Sequence, residues 1–468
     1  MKRILLIAAA TAAACGTALT AAAWASDAPR VATGFIANVI CSGTFVSGVN
    51  SDRLLSDTIG AMPGVGLIEW AIGTDIDRTK RQVTATLLGG VESRAVYRDG
   101  LGCILVHGDG PVDASLPTAG VSRPQLLPDI AGASLVETAN PGLNDALDRA
   151  FKENDQPPYR QTKAVVIVKN GKIAGERYAP GYTKDTPILG FSVTKSVTSA
   201  LIGILVRDGR LALDKPAPIA AWSDPGDPRH PITIDQLLRH TSGLAMGSSL
   251  NASLLSALDP VNRMKFAERD MAGFAERANI EATPGTLWNY HDGNYLILSR
   301  LIRDASGGHA ADVLNFARRE LFDPLGMHGV TLEFDATGTP EGSSQMLAPA
   351  RDWAKFGLLY LNDGVIGGKR ILPEGWVKYS STLTPSAWAG MGAGFWTNRG
   401  DSKGANYRAS LGMPRDAFYA SGVMGQYVIV IPSENLVIAR FGISGNQYDI
   451  AGVSRLVADV IAATGGER

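Results

Sequence analysis

Two side chains capable of nucleophilic chemistry stand three residues apart: Ser192 and Lys195, in Phe191-Ser192-Val193-Thr194-Lys195-Ser196-Val197. Val197, Leu201, Ile204 and Leu205 recur at helical spacing, and Gly209 follows the polar stop Arg207-Asp208. This pattern puts Ser192 at the start of a helix and Lys195 one turn further on. Residues three apart share a helix face, so the hydroxyl can meet the amine. A serine hydroxyl is a poor nucleophile at neutral pH and needs a base; a lysine partly stripped of water can be one. The helix N-terminus adds free N–H groups aimed at developing negative charge. A lone Ser-x-x-Lys also fits an ordinary capped helix with a surface lysine, so partners elsewhere must decide.

Two other segments offer such partners. Pro284-Gly285-Thr286-Leu287-Trp288-Asn289-Tyr290-His291-Asp292-Gly293-Asn294 enters a helix from a Gly/Pro turn and places Tyr290 at the entry. A phenol beside the Lys195 ammonium would have its pKa lowered and could relay protons. Phe418-Tyr419-Ala420-Ser421-Gly422-Val423-Met424-Gly425 leads into a strand, and its small residues let main chain approach a ligand.

In this order, the three segments resemble those of the serine hydrolases related to class C β-lactamases, over roughly residues 143–463. Thr233-Ile234-Asp235-Gln236-Leu237-Leu238-Arg239-His240-Thr241-Ser242-Gly243-Leu244 and Ala350-Arg351-Asp352-Trp353-Ala354-Lys355-Phe356-Gly357 carry the likeness further. It is nearest to the esterase and 6-aminohexanoate-dimer hydrolase branch. The resemblance implies Ser192 as nucleophile, Lys195 as its base, and Tyr290 as the tyrosine of a Tyr-x-Asn motif. It also implies an oxyanion hole made by the main-chain N–H groups of Ser192 and Val423, and it needs no cofactor.

Two positions depart from the family pattern. Tyr419-Ala420-Ser421-Gly422 replaces Lys-Thr-Gly, which removes the cation that would meet a β-lactam or peptide carboxylate. Asp292 stands where Asn or Ser is usual, and a carboxylate near Lys195 favours the charged amine. His291, Asp292, Tyr419 and Ser421 are candidates for touching substrate or supporting the site. The expected activity is cleavage of small-molecule esters or amides through an acyl-enzyme. A β-lactamase or D-amino-acid peptidase is the alternative within enzymes, and a non-catalytic binding or sensor protein the alternative outside them.

The elements needed to hold this site are legible. Asn170-Gly171 joins two apolar runs, 164–169 and 172–178, the strongest short hairpin signal. A second antiparallel pair, 426–431 and 436–441, flanks Pro432-Ser433-Glu434-Asn435. Helices are expected at 143–152 and near the C-terminus, and residues 233–377 read as mostly helical. The fold class is therefore α+β: a β-lactamase/transpeptidase-like antiparallel sheet flanked by helices, with an inserted helical subdomain and a cleft between them.

Upstream, residues 26–110 read as a small α+β domain and 111–141 as a linker or strap. The hydrolase domain is expected over 142–468. Lys2-Arg3, an apolar run over 4–24 and Ala23-Trp24-Ala25 read as a signal peptide of about 25 residues, or an uncleaved anchor; either exports the chain to the periplasm or beyond. Cys41 and Cys103 then remain, both in strand-like surroundings, and are expected to pair; two buried free thiols are the alternative. With 44 basic and 45 acidic side chains in 468 residues, nothing points to nucleic acid. The six histidines show no metal-ligand spacing, and His240 reads as a structural loop residue.

Overall fold

The computed structural model describes residues 27–62, 69–108, 123–250, 254–445 and 448–465. The leader and residues 111–122 of the expected linker lie outside the described residues.

The chain opens with helix α1 (Ala28–Cys41) and helix α2 (Ser51–Ala61), followed by strands β1 (Ile72–Asp77), β2 (Gln82–Leu87), β3 (Val91–Arg98) and β4 (Gly102–Val106). The four strands form an antiparallel meander. A disulfide joins Cys41 to Cys103, with Cα atoms 6.1 Å apart. Cys103 is in a strand as expected, but Cys41 ends α1. The local run Val39-Ile40-Cys41 looks strand-like because it is short. Over fourteen residues, the buried Thr33, Ile36, Ala37 and Ile40 recur at helical spacing behind Pro29 in the first turn, and the longer period wins.

Residues 123–140 run as a strap across the next unit: Leu127 and Ile130 are buried, and the Val136 N–H donates to the Glu176 carboxylate at 2.8 Å. Then come α3 (Pro141–Phe151), β5 (Thr162–Lys169), β6 (Lys172–Tyr178) and α4 (Val193–Arg207). The helical part holds α5 (Pro260–Ala267), α6 (Met271–Glu276), α7 (Asp292–Ser306), α8 (Ala310–Ala317) and α9 (Ala350–Leu361). The main sheet is completed by β7 (Trp396–Thr397), β8 (Phe418–Gly422), β9 (Gln426–Ile431) and β10 (Leu436–Gly442), and α10 (Ile450–Thr464) closes the described chain.

The six-stranded sheet has the order β7-β8-β9-β10-β5-β6, antiparallel throughout. Asn170 and Gly171 both have positive φ, 53° and 79°, as the two-residue turn between β5 and β6 requires. Side chains alternate across the sheet. Val165, Ile167, Ile429 and Ile438 face Leu143 and Leu147 of α3 and Val453 and Val457 of α10. Val166, Val168, Val428 and Val437 face Val193, Val197 and Leu201 of α4 and Trp353 and Phe356 of α9. Covering both faces explains why these strands are continuous apolar runs. It also seats α4, and with it Ser192 and Lys195, against the sheet.

The N-terminal unit docks on this body. Phe266 and Ala267 of α5, with Met424 and Ile443, share a buried cluster with Val31, Ile36 and Ile40 of α1. At this junction the fully buried Glu333 accepts from Ser42 Oγ at 2.7 Å and from the Cys103 N–H at 2.8 Å. Burial, aided by the Glu341 charge, pushes its pKa up to about 8 against these hydrogen bonds. A carboxyl raised in the fold binds a proton that the unfolded chain has lost, so stability falls as pH rises from about 4.5 to about 8. The loss attributable to Glu333 is on the order of 5 kcal/mol. Urea denaturation of wild type and Glu333→Gln at pH 5, 7 and 9 should show the wild type losing ground to the variant; parallel curves would refute the assignment.

Candidate active site

Ser192 immediately precedes α4, with φ −65° and ψ −6°. Phe191 before it is left-handed, with φ 45°, a conformation disfavoured for a non-glycine residue that turns the chain sharply into the helix. Lys195 is 1% exposed, and its Nζ donates to Ser192 Oγ at 3.0 Å, Asp292 Oδ1 at 2.6 Å and the Ser343 carbonyl at 2.9 Å. The one-turn spacing thus brings hydroxyl and amine together as expected.

Asp292 does not act on Lys195 alone. Its other oxygen, Oδ2, lies 2.9 Å from Lys265 Nζ, a residue of α5 that the sequence reading missed. Lys265 also donates to Ser344 Oγ at 2.6 Å and lies 3.7 Å from Glu341. Glu341 in turn accepts from Ser343 Oγ at 2.5 Å and from the Ser344 N–H at 2.8 Å. Two lysine amines and two acidic side chains therefore share one buried cluster. Burial alone would raise the Asp292 pKa, but Lys195 and Lys265 more than offset it and hold the carboxyl well below the usual range. A signal for Lys265 was present in the sequence: Val261, Met264 and Lys265 fall on one helix face, so the lysine shares the apolar side of α5.

Tyr290 is 3% exposed, and Lys195 Nζ lies 5.1 Å from its ring centroid. Its titration runs opposite to the expectation from sequence. Burial, then the Asp292 charge, drives the phenol pKa far above its usual range, opposed by its hydrogen bond with Ser192. Tyr290 is a protonated phenol at neutral pH, a donor rather than a resident base. His240 packs against it with ring centroids 4.4 Å apart. Burial holds the His240 pKa well below normal, so its ring is neutral, and its Nδ1 lies 3.3 Å from Asn294 Nδ2. His240 is thus a structural support, as expected. His291, a candidate for touching substrate, is 1% exposed and does not line the cleft; burial lowers its pKa to about 4.

Val423 follows β8. A Cβ built on Gly422 would fall 2.4 Å from the Gly190 carbonyl and 3.0 Å from Ser192 N, so the main chain here runs directly beside the serine. Among the described residues, the N–H groups of Ser192 and Val423 donate to no loop or turn carbonyl. Buried Arg440 anchors this corner, its Nη1 donating to the Gly425 carbonyl at 2.7 Å.

Ser192, Val423, Ser249, Lys265 and Asp292 border a cleft open to solvent. Tyr419 and Ser421 border a second groove with Trp388, Trp396 and Arg408. No three His, Cys, Asp or Glu side chains group as metal ligands among the described residues.

Residues 147–442 match the family model described as Beta-lactamase, well over half of the chain. The chain belongs to the beta-lactamase family. Within it, the 6-aminohexanoate-dimer hydrolase of Paenarthrobacter ureafaciens is 23% identical over 292 residues, 56% of this chain and 66% of that enzyme. An uncharacterised protein of Alkalihalophilus pseudofirmus is 23% identical over 308 residues, 59% of this chain and 82% of its own length. Among solved structures, a penicillin-binding protein homologue from Caulobacter crescentus covers 72% of this chain and 100% of its own at 18% identity, with a TM-score of 0.52. A structure titled EstCE1, a hydrolase with promiscuous acyltransferase activity, covers 69% of this chain and 97% of its own at 16% identity, TM-score 0.52. The structural likenesses establish the beta-lactamase-family fold. The family match begins after the strap, so α1, α2 and β1–β4 lie outside it.

Proposed function

We propose that this beta-lactamase-family chain is an exported serine hydrolase that cleaves ester or amide bonds through an acyl-enzyme on Ser192. The observation that carries the reading is Ser192 Oγ, 3.0 Å from a buried lysine amine and exposed to an open cleft at a helix N-terminus. Lys195, in its neutral form, takes the serine proton as Oγ attacks the carbonyl, and becomes the ammonium that bonds to Asp292 and the Ser343 carbonyl. The main-chain N–H groups of Ser192 and Val423 hold the oxyanion. Tyr290, kept protonated by its surroundings, donates to the leaving alcohol or amine and is recharged through Lys195. Water then attacks the acyl-enzyme by the same route in reverse. Two related proteins, one named a 6-aminohexanoate-dimer hydrolase and one a hydrolase with acyltransferase activity, support this chemistry. Strand β8 carries no cation, which favours ester or amide cleavage over β-lactam or D-amino-acid peptide cleavage. The leader read from the sequence supports export.

A fluorophosphonate probe should form one covalent adduct per chain, located at Ser192 by peptide mass spectrometry. Absence of any adduct would support a binding or sensor role instead.

Lys265 has a definite part in this scheme. Lys265 shares the Asp292 carboxylate with Lys195 and takes up part of its charge. Lys265→Met should lower kcat/KM by about ten- to a hundredfold near neutrality, because among the described residues Asp292 then has Lys195 as its one close cationic partner. The double variant Asp292→Asn/Lys265→Met should recover part of it. An unchanged kcat/KM in the single variant would show that the two amines are not coupled through Asp292.

A further inference from the structure

The cleft beside Ser192 is walled on one side by the N-terminal unit. Val31, Phe35 and Ile36 of α1, with Met62 and Ile72, line it beside Phe266 of α5, which packs edge-on against Phe35 with ring centroids 5.5 Å apart. Its apolar walls suit an apolar group of a small-molecule ligand. Among its described lining residues the charged side chains are Lys265 and Asp292, and they pair with each other at 2.9 Å. The cleft therefore offers no uncommitted charge to a carboxylate or ammonium on the substrate. The other side of the site differs. Tyr290 packs with Trp396, Leu250 and Ala389, and these three residues border the second groove together with Trp388 and Arg408. A leaving group protonated by Tyr290 must lie on the Tyr290 side. The acyl group then extends the opposite way, toward α1.

Resting on the proposed acyl-enzyme reaction, we infer that the substrates are esters or amides of uncharged, medium-length aliphatic acids. Their acyl chain lies in the cleft along the junction of α1 and α5, bordered by both helices. The N-terminal unit, outside the family match, is thus a specificity element, and the Cys41–Cys103 bond fixes its wall to β4. Each methylene drawn from water into an apolar pocket adds about fourfold to kcat/KM until the pocket is filled.

The test is a series of p-nitrophenyl esters from acetate to decanoate. For the wild type, kcat/KM should rise by on the order of a hundredfold between butyrate and octanoate. Ala32→Trp, which fills the cleft from a half-exposed position on α1, should collapse the octanoate-to-acetate ratio toward one. Ile72→Glu should lower the same ratio from the sheet side, and thermal unfolding of both variants establishes that they fold. A flat wild-type series, or variants retaining its slope, overturns the pocket. Calorimetric binding of decanoate and acetate to the Ser192→Ala protein separates this inference from the reaction. Preferential decanoate binding, lost on adding Ala32→Trp, supports the pocket even if no ester is turned over; equal binding of the two acids overturns it.

Discussion

Ser192→Ala and Lys195→Met should each lower kcat/KM for an activated ester by about a thousandfold or more, the range seen when a nucleophile or its base is lost. The two losses have different signatures. Without Ser192 the fluorophosphonate adduct disappears. Without Lys195 the adduct still forms, at a much lower rate, because the hydroxyl remains but nothing accepts its proton. Lys195→Met is a fair test of the base because Asp292 keeps Lys265 as a partner at 2.9 Å, so no carboxylate is left buried and unpaired. Lys195→Arg should not restore activity, since a guanidinium cannot give up its proton. Near-normal turnover in Lys195→Met would assign the base elsewhere, and full activity in Ser192→Ala would remove the acyl-enzyme altogether.

The parts of this site that could be read from the sequence are those encoded over short distances. Ser192 and Lys195 are one helical turn apart, and Asn170-Gly171 fixes its own hairpin, because both signals need only a few neighbours. Tyr290 was legible as the residue at a turn-to-helix entry, but its titration was not. The Lys195 ammonium argued for a lowered pKa, whereas complete burial and the Asp292 carboxylate, visible only in three dimensions, outweigh it. Lys265 and Glu341 converge on Asp292 from distant segments, and no spacing rule joins them. Asp292 therefore read as a liability for the base when it is one member of a compensated cluster. The role of α1 was hidden for a similar reason. Its apolar face is plain in the sequence, but which body it docks against depends on the α5 surface bearing Phe266. The strand-like reading around Cys41 failed because three residues cannot reveal a period of 3.6.

Gly422→Ala should cut kcat by about a hundred- to a thousandfold, the cost of losing one oxyanion donor. Gly422 has an ordinary φ, so its requirement is space rather than conformation. The new methyl would sit 2.4 Å from the Gly190 carbonyl oxygen and 3.0 Å from Ser192 N, both main-chain atoms that cannot swing aside. Relief requires β8 to move away from the Phe191–Ser192 turn. That motion carries the Val423 N–H away from the Ser192 N–H, and the carbonyl oxygen can then reach only one of them. Arg440, bonded to the Gly425 carbonyl, resists the shift, so some strain will appear as a stability loss of about 1–3 kcal/mol. Gly60→Ala serves as the control. Its Cβ meets nothing within 4 Å on an exposed helical position, so kcat should hold and stability rise slightly. Substrate binding depends mainly on the α1 wall and the Trp396 groove, so KM should change far less than kcat. A Gly422→Ala enzyme with wild-type kcat would show that the oxyanion is not held between these two amides.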